Sequence, residues 1–367
     1  MCAAGAQQLL DLLNNTGLSC IPVNNKWNHT KIKKEEVKMR LHKRFLFVML
    51  ALAAGLFLFG DVSQAAYPDK PIEFVAPANP GGGWDLTCRL SSQVLKEAGL
   101  VSQPMVVVNK PGGFGVVAMT DITRNRAKDQ NVLVAFSAVL TTQMAIKKNP
   151  FTYKDVIPVS VLFVDYGAIA VRKDSKYASF KDLLEDWKKN PGVLTFAGSS
   201  PPGGLDHMRI AMMAKAMGLP LKDLRYVAFQ GGADALAALL GGHVTAFVGE
   251  AGEIAGHAES GTIRPLAILS DRKLTGIFEK VPMAKDFGVN VSSANWRGFY
   301  AAPEMTKENL KYWEDTFGKM VKTKQWNEVL KKQAWVDLFL TGDKLQKFLD
   351  EELTMYQNLA KELGLVQ

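Results

Sequence analysis

The sequence predicts an α/β fold, and three observations carry that prediction. Short β-prone runs, such as Ile72-Glu73-Phe74-Val75-Ala76, pass directly into small-residue turns, here "NPGGGWD". Each turn opens a segment whose apolar residues recur at helical spacing. The unit recurs along the chain, and strands that alternate with helices indicate a largely parallel sheet.

Before the first unit stands an apolar run, Phe45 to Phe59, preceded by Arg40, His42, Lys43 and Arg44 and broken at Gly60-Asp61. Ser63 and Ala65 supply small residues for cleavage near Ala65-Ala66, so residues 39–65 read as a secretory signal. A spanning helix needs about 20 apolar residues, more than this run supplies before Asp61. Residues 1–66 are therefore expected to be an N-terminal extension plus a removed signal, with Met39 the better-placed translation start.

The 367 residues carry 44 Lys/Arg against 36 Asp/Glu, a net of +8. Beyond residue 66 the balance is 36 to 32, and no basic block interleaved with aromatics remains, which excludes nucleic acid as an expected partner. The mild positive excess suits an anionic ligand. Of the three cysteines only Cys88 lies past the signal, so an internal disulfide is excluded. On the helix after the glycines it is expected to act as a small buried apolar residue.

In chain order, Leu86, Leu90, Val94 and Ala98 predict a helix stopped by Gly99. Met105 to Asn109 is a strand leading into "KPGGFG", followed by a helix over 116–124 and a strand over 132–138. Gly167 to Arg172 is a strand, and Ser179 caps a helix that closes at Pro191-Gly192. Val193 to Ala197 is a strand, Gly198 to Gly204 a turn, and Leu205, Met208, Met212 and Met213 a helix face whose methionines belong to the core. Gly231-Gly232 opens an Ala/Leu helix closed by Gly241-Gly242, and strands follow at 244–248 and 263–269. From Lys307 the chain reads as helical.

In an open parallel sheet, ligands sit outside the carboxyl ends of the strands, where these turns lie. Gly81, Gly82 and Gly83 let a ligand approach the backbone, and the first-turn N–H groups and helix dipole favour a carboxylate or phosphate. A β-branched residue at Gly83 is accordingly expected to weaken binding more than folding. Asp85 would repel an anion if it faced one, so it is expected to cap the turn instead. The same motif also fits a tight turn without a ligand. No P-loop ending, no G-x-G-x-x-G and no G-x-S-x-G elbow is present. His207, His243 and His257 show no metal-ligand spacing, so no metal, cofactor or catalytic residue is expected.

The ordered motifs "YPDKPIEFVAPANPGGGWD", "VNKPGGFG", "NPGVLTFAGSSPPGGLDHM", "FQGGADALAALLGGHVTAFVGE", "SGTIRPLAIL" and "WRGFYAAPEMTKE" resemble the solute-binding proteins of tripartite tricarboxylate transporters, the Bug or TctC-like family, from Tyr67 to Gln367. The resemblance implies a monomeric, two-lobed periplasmic binding protein of the type II or Venus-flytrap kind. It implies no enzyme, but a receptor that closes on a small di- or tricarboxylate, citrate-like, and delivers it to a membrane permease. It implies lobe 1 over 67–165 and 294–367 and lobe 2 over 166–293. Ligand contacts are expected from Pro80, Gly81, Gly82, Gly83, Trp84 and Asp85, and from Gly198, Ser199, Ser200, Gly203 and Gly204. Ser137, Thr141, His207 and Glu250 are expected to face the cleft. Alternatives are a sensory protein that presents its carboxylate to a membrane receptor, and an exported enzyme.

Overall fold

The chain divides into two units, Met1–Gln64 and Ala65–Gln367. The computed structural model describes residues 67–366, so the expected signal segment, Cys2 and Cys20 lie outside the described residues.

The first lobe begins with β1 (Ile72–Ala76), which pairs in parallel with β2 (Met105–Asn109) and β3 (Val132–Ser137). Between β1 and β2 runs α1 (Gly83–Glu97), whose buried residues include Trp84, Cys88, Ser91 and Leu95. Of the predicted stripe only Val94 is buried; Leu86, Leu90 and Ala98 are half-buried. The glycine turn seats Trp84 inward, and positions four, seven and eleven residues further on then form the packed face. After "KPGGFG" a short α2 (Val116–Thr120) widens into a π turn over Asp121–Asn125. Ser137 then caps α3 (Ala138–Ala145), its Oγ accepting from Val139 N at 3.3 Å.

The 16-residue β4 (Ile157–Arg172) belongs to both lobes. Up to Tyr166 it pairs antiparallel with β9 (Ala294–Ala301), and from Gly167 with β7 (Ala246–Glu250) and β8 (Ile263–Leu269). The sequence displays only its second half, because Pro158 and Asp165 interrupt the apolar pattern of the first. The second lobe is completed by β5 (Thr195–Gly198), which lies in parallel between β6 (Arg225–Ala228) and β7. Its helices are α4 (Phe180–Lys189), with a Ser179/Asp182 capping box, α5 (Leu205–Ala216), α6 (Gly232–Leu240) and α7 (Ala251–Glu259). The chain re-enters the first lobe at β9 and ends in α8 (Lys307–Met320), α9 (Lys324–Gln333), β10 (Val336–Leu340) and α10 (Gly342–Glu362).

The expectation of a largely parallel sheet needs correction. Pairing is parallel within β2-β1-β3 and β6-β5-β7, but every pair made by β4 or β9 is antiparallel. These strands carry the chain across the lobes and back, so each runs against its neighbours. Met208 and Met213 on α5 are fully buried, as is Cys88 on α1.

One acid in this scaffold makes stability sensitive to pH. Glu352 on α10 accepts from Trp296 Nε1 at 2.7 Å, and burial raises its carboxyl to about 7 against that hydrogen bond. A carboxyl raised in the fold contributes stability below its unfolded value and loses it as pH rises through about 7. Glu352→Gln keeps an acceptor for Trp296 and cannot ionise. The variant is expected to match the parent near pH 4.5 and to exceed it by on the order of 2–3 kcal/mol at about pH 8.5. Parallel melting-temperature profiles for the two proteins would refute this.

Candidate functional site

The turn between β1 and α1 is held by its own side chains. Gly81 has φ 85°, a left-handed conformation that glycine adopts without strain. Its N–H donates to Asp85 Oδ2 at 2.9 Å, and Asp85 also accepts from Arg89 Nε at 2.8 Å and from Asn109 Nδ2 at 2.8 Å. Burial alone would raise the Asp85 carboxyl, but Arg89 and the Gly81 N–H outweigh it and hold it below the ordinary range. Asp85 thus caps the loop with its charge already matched.

The turn between β5 and α5 is closed on itself to a greater degree. Ser199 N donates to Asp206 Oδ2 at 2.8 Å, Ser200 N to the Tyr226 hydroxyl at 3.3 Å, and Gly204 N to Pro201 O at 2.7 Å. Gly203 N donates to His207 Nδ1 at 2.9 Å, and burial holds His207 below its ordinary pKa. The N–H groups that the sequence reading reserved for an anion therefore already have acceptors inside the loop, and His207 braces Gly203.

The lobes meet across the cleft. Gly83 N donates to Glu253 Oε1 at 2.7 Å, Asn79 Nδ2 to Asp234 Oδ2 at 2.7 Å, and Lys148 Nζ to Pro202 O at 2.9 Å. Between them lies a cavity of about 20 Å³, room for roughly one water. The first lobe lines it with Ala78, Gly83, Trp84, Val139 and Arg297, the second with Ser199, Gln230, Gly231, Gly232 and Glu253. Of the residues named from sequence, Gly83, Trp84 and Ser199 reach this cavity. Ser137 caps α3, Thr141 is buried on that helix, and Glu250 is enclosed by ion pairs.

Sequence reasoning missed Arg297, Glu253 and the Gln230-Gly231-Gly232 turn as site residues. The "FQGG" turn was legible as another strand-to-helix unit, and its helix α6 is the second-lobe helix whose start lies opposite Gly82. Nothing local marks Glu253 or Arg297, whose roles depend on contacts between distant segments. The Gly83 expectation also changes. A Cβ there would lie 2.1 Å from Arg297 Nη2, so a β-branched residue must displace a buried guanidinium and harm folding as well as binding.

Beneath the cavity lies a buried charge cluster of Asp165, Asp206, Glu250 and Glu253 with Arg209 and Arg297. Arg209 Nη1 donates to Asp206 Oδ1 at 2.6 Å and Glu250 Oε1 at 3.0 Å, while its Nε donates to Ser293 Oγ at 2.9 Å. Arg297 Nη2 lies 3.3 Å from Glu250 Oε2 and 3.7 Å from Glu253 Oε1. Burial would raise Glu250, but Arg209 and Arg297 overcome it and keep that carboxyl ionised. Burial and the Glu250 charge push Asp165 up to about 7 and Glu253 well above the ordinary range. Four acids facing two guanidiniums in a dry site keep protons rather than carry the surplus charge.

Two α/β lobes, joined by crossing strands and meeting over a polar cleft, define a solute-binding protein of the periplasmic type. The family model of the tripartite tricarboxylate transporter family receptor, TctC, matches residues 91–365, and the chain belongs to that family of periplasmic binding proteins. Protein BugT of Bordetella pertussis is 27% identical over 334 residues, spanning 88% of this chain and 98% of that protein. The solved periplasmic binding protein BugD superposes with a TM-score of 0.73 at 21% identity, over 81% of this chain and 99% of BugD. An R. palustris protein solved with adipate also gives a TM-score of 0.73 at 21% identity, over 81% of this chain and 98% of that one.

Proposed function

We propose that this chain captures a small di- or tricarboxylate between its lobes in the periplasm and delivers it to the permease of a tripartite tricarboxylate transporter. The observation that carries this reading is the meeting of two helix starts, α1 at Gly83 and α6 at Gly232, over one cavity beside the Arg297 guanidinium. Helix N-termini offer unpaired N–H groups and positive dipole ends, and a guanidinium matches a carboxylate fork. The adipate carried by a protein of the same fold is consistent with a dicarboxylate.

In this reading lobe 1 comprises 67–165 and 294–367, lobe 2 comprises 166–293, and the lobes part about the crossings at Tyr166-Gly167 and Ser293-Ala294. Pro80 to Asp85 and Gly198 to Gly204 shape the two walls. Ser137, Thr141, His207 and Glu250 hold those walls in place. A ligand that bridges the lobes favours the closed form through contacts the open form lacks.

A thermal-shift screen of the refolded protein against mono-, di- and tricarboxylates, aromatic acids and amino acids tests the proposal. A ligand at about 100 times its dissociation constant adds roughly 2.7 kcal/mol, which raises the melting temperature by several degrees. A shift selective for di- or tricarboxylates is expected. A folded protein that shifts with amino acids or aromatic acids alone would refute the ligand class.

A further inference from the structure

Three residues that line the cavity between the helix starts each carry a buried polar atom without a hydrogen-bond partner: Trp84 Nε1, Arg297 Nε and Glu253 Oε2. The Arg297 side chain is 4% exposed and that of Glu253 2%, so bulk solvent does not reach them. Two of the three are N–H donors, and buried donors without acceptors are rare because each costs about 1–3 kcal/mol. The third belongs to a carboxyl group that reaches from α7 across the cleft, its Oε1 accepting from the Gly83 N–H.

The two glycines make room for this arrangement. A Cβ at Gly232 would lie 2.3 Å from Glu253 Oε2, and one at Gly83 would lie 2.1 Å from Arg297 Nη2. A carboxyl group therefore already sits between the starts of α1 and α6, beside a guanidinium. It belongs to the protein, and it leaves the Trp84 and Arg297 Nε donors unanswered.

We propose that Glu253 is an internal stand-in for a ligand carboxylate: the seat formed by the Gly83 N–H, the Arg297 guanidinium and the Trp84 indole N–H is the receptor's carboxylate site, and a ligand takes it by displacing Glu253. The inference rests on the receptor function proposed above and adds the seat, its occupant and the exchange. A cavity of about 20 Å³ does not hold a dicarboxylate, so the exchange requires the lobes to part and Glu253 to leave Gly83. The incoming carboxylate brings acceptor oxygens for both unanswered donors. Glu253 thereby sets a threshold: an anion binds only if it outcompetes a carboxyl group tethered at the site, which the high effective concentration of a tethered group makes demanding.

The test is titration calorimetry with adipate, malate and citrate on the purified full chain and on Glu253→Ala, Glu253→Gln and Arg297→Gln. Glu253→Ala is expected to bind at least one probe about tenfold or more tighter than the parent, and Glu253→Gln to gain less, since its amide oxygen still accepts from Gly83. Arg297→Gln is expected to weaken binding about tenfold or more. A crystal structure of the parent with its best probe should show a ligand carboxylate on Gly83 N and Glu253 turned away. If the parent binds a probe, and a folded Glu253→Ala binds it no more tightly or Glu253 remains on Gly83 in the complex, the stand-in is wrong while the receptor reading survives. If neither the parent nor any folded variant binds a carboxylate, both readings fall.

Discussion

Arg209→Met is expected to destabilise the protein by about 3–5 kcal/mol near neutral pH, because it leaves buried carboxylates without their counter-charge. Arg209 is fully buried on α5 and donates to Asp206, Glu250 and Ser293. It also stands 2.9 Å from the Cβ position of Gly167, where β4 passes from one sheet to the other. A single side chain thus ties a second-lobe helix to both chain crossings. Burial favours the neutral guanidine, but Glu250 and Asp206 outweigh it and keep Arg209 charged. In the variant the orphaned acids have raised folded pKa values, so their penalty is small where they are protonated and grows as pH rises. Urea unfolding across pH 5 to 8 should show a deficit that widens with pH. A deficit below about 1 kcal/mol at about pH 7.5 would mean that the cluster is not held by charge.

Gly298→Ala is the second large effect, about 3 kcal/mol or more, and it arises from backbone rather than charge. Gly298 lies mid-way along β9, opposite Phe136 of β3 and Val161 of β4. A Cβ there would fall 1.8 Å from Ser160 O and 2.9 Å from Val161 Cα. Neither atom belongs to a flexible side chain, so a methyl group must force β4 and β9 apart, and these strands join the lobes. A drop in melting temperature of roughly 6 °C or more is expected. A variant that melts with the parent would show that the strands separate at little cost.

The two variants touch features of different legibility. The strand-turn-helix units could be read along the chain because their signals are local: β-prone runs, glycines that permit a left-handed turn, and Ser179 placed to cap α4. Asp85 as the brace of its own loop was legible for the same reason, since its partner Gly81 is four residues away. The first half of β4, β9 and β10 escaped notice. The first half of β4 carries Asp165, whose carboxylate accepts from Gly252 N and Trp335 Nε1, and β10 is a short half-buried strand between helices. A polar residue inside a strand looks like an interruption until its partners arrive from elsewhere.

The amino-acid sequence by itself determined the α/β units, because turn chemistry, capping and periodicity act over a few residues, and it carried the family through the resemblance of its ordered motifs. Only the tertiary structure decided which of those turns face one another and what fills the space between them. Gly83 and Glu253 are 170 positions apart, and Asp165 and Trp335 equally so. Such pairings form because burial removes water and makes an unpartnered charge or N–H costly, a pressure that exists only once distant segments have packed together.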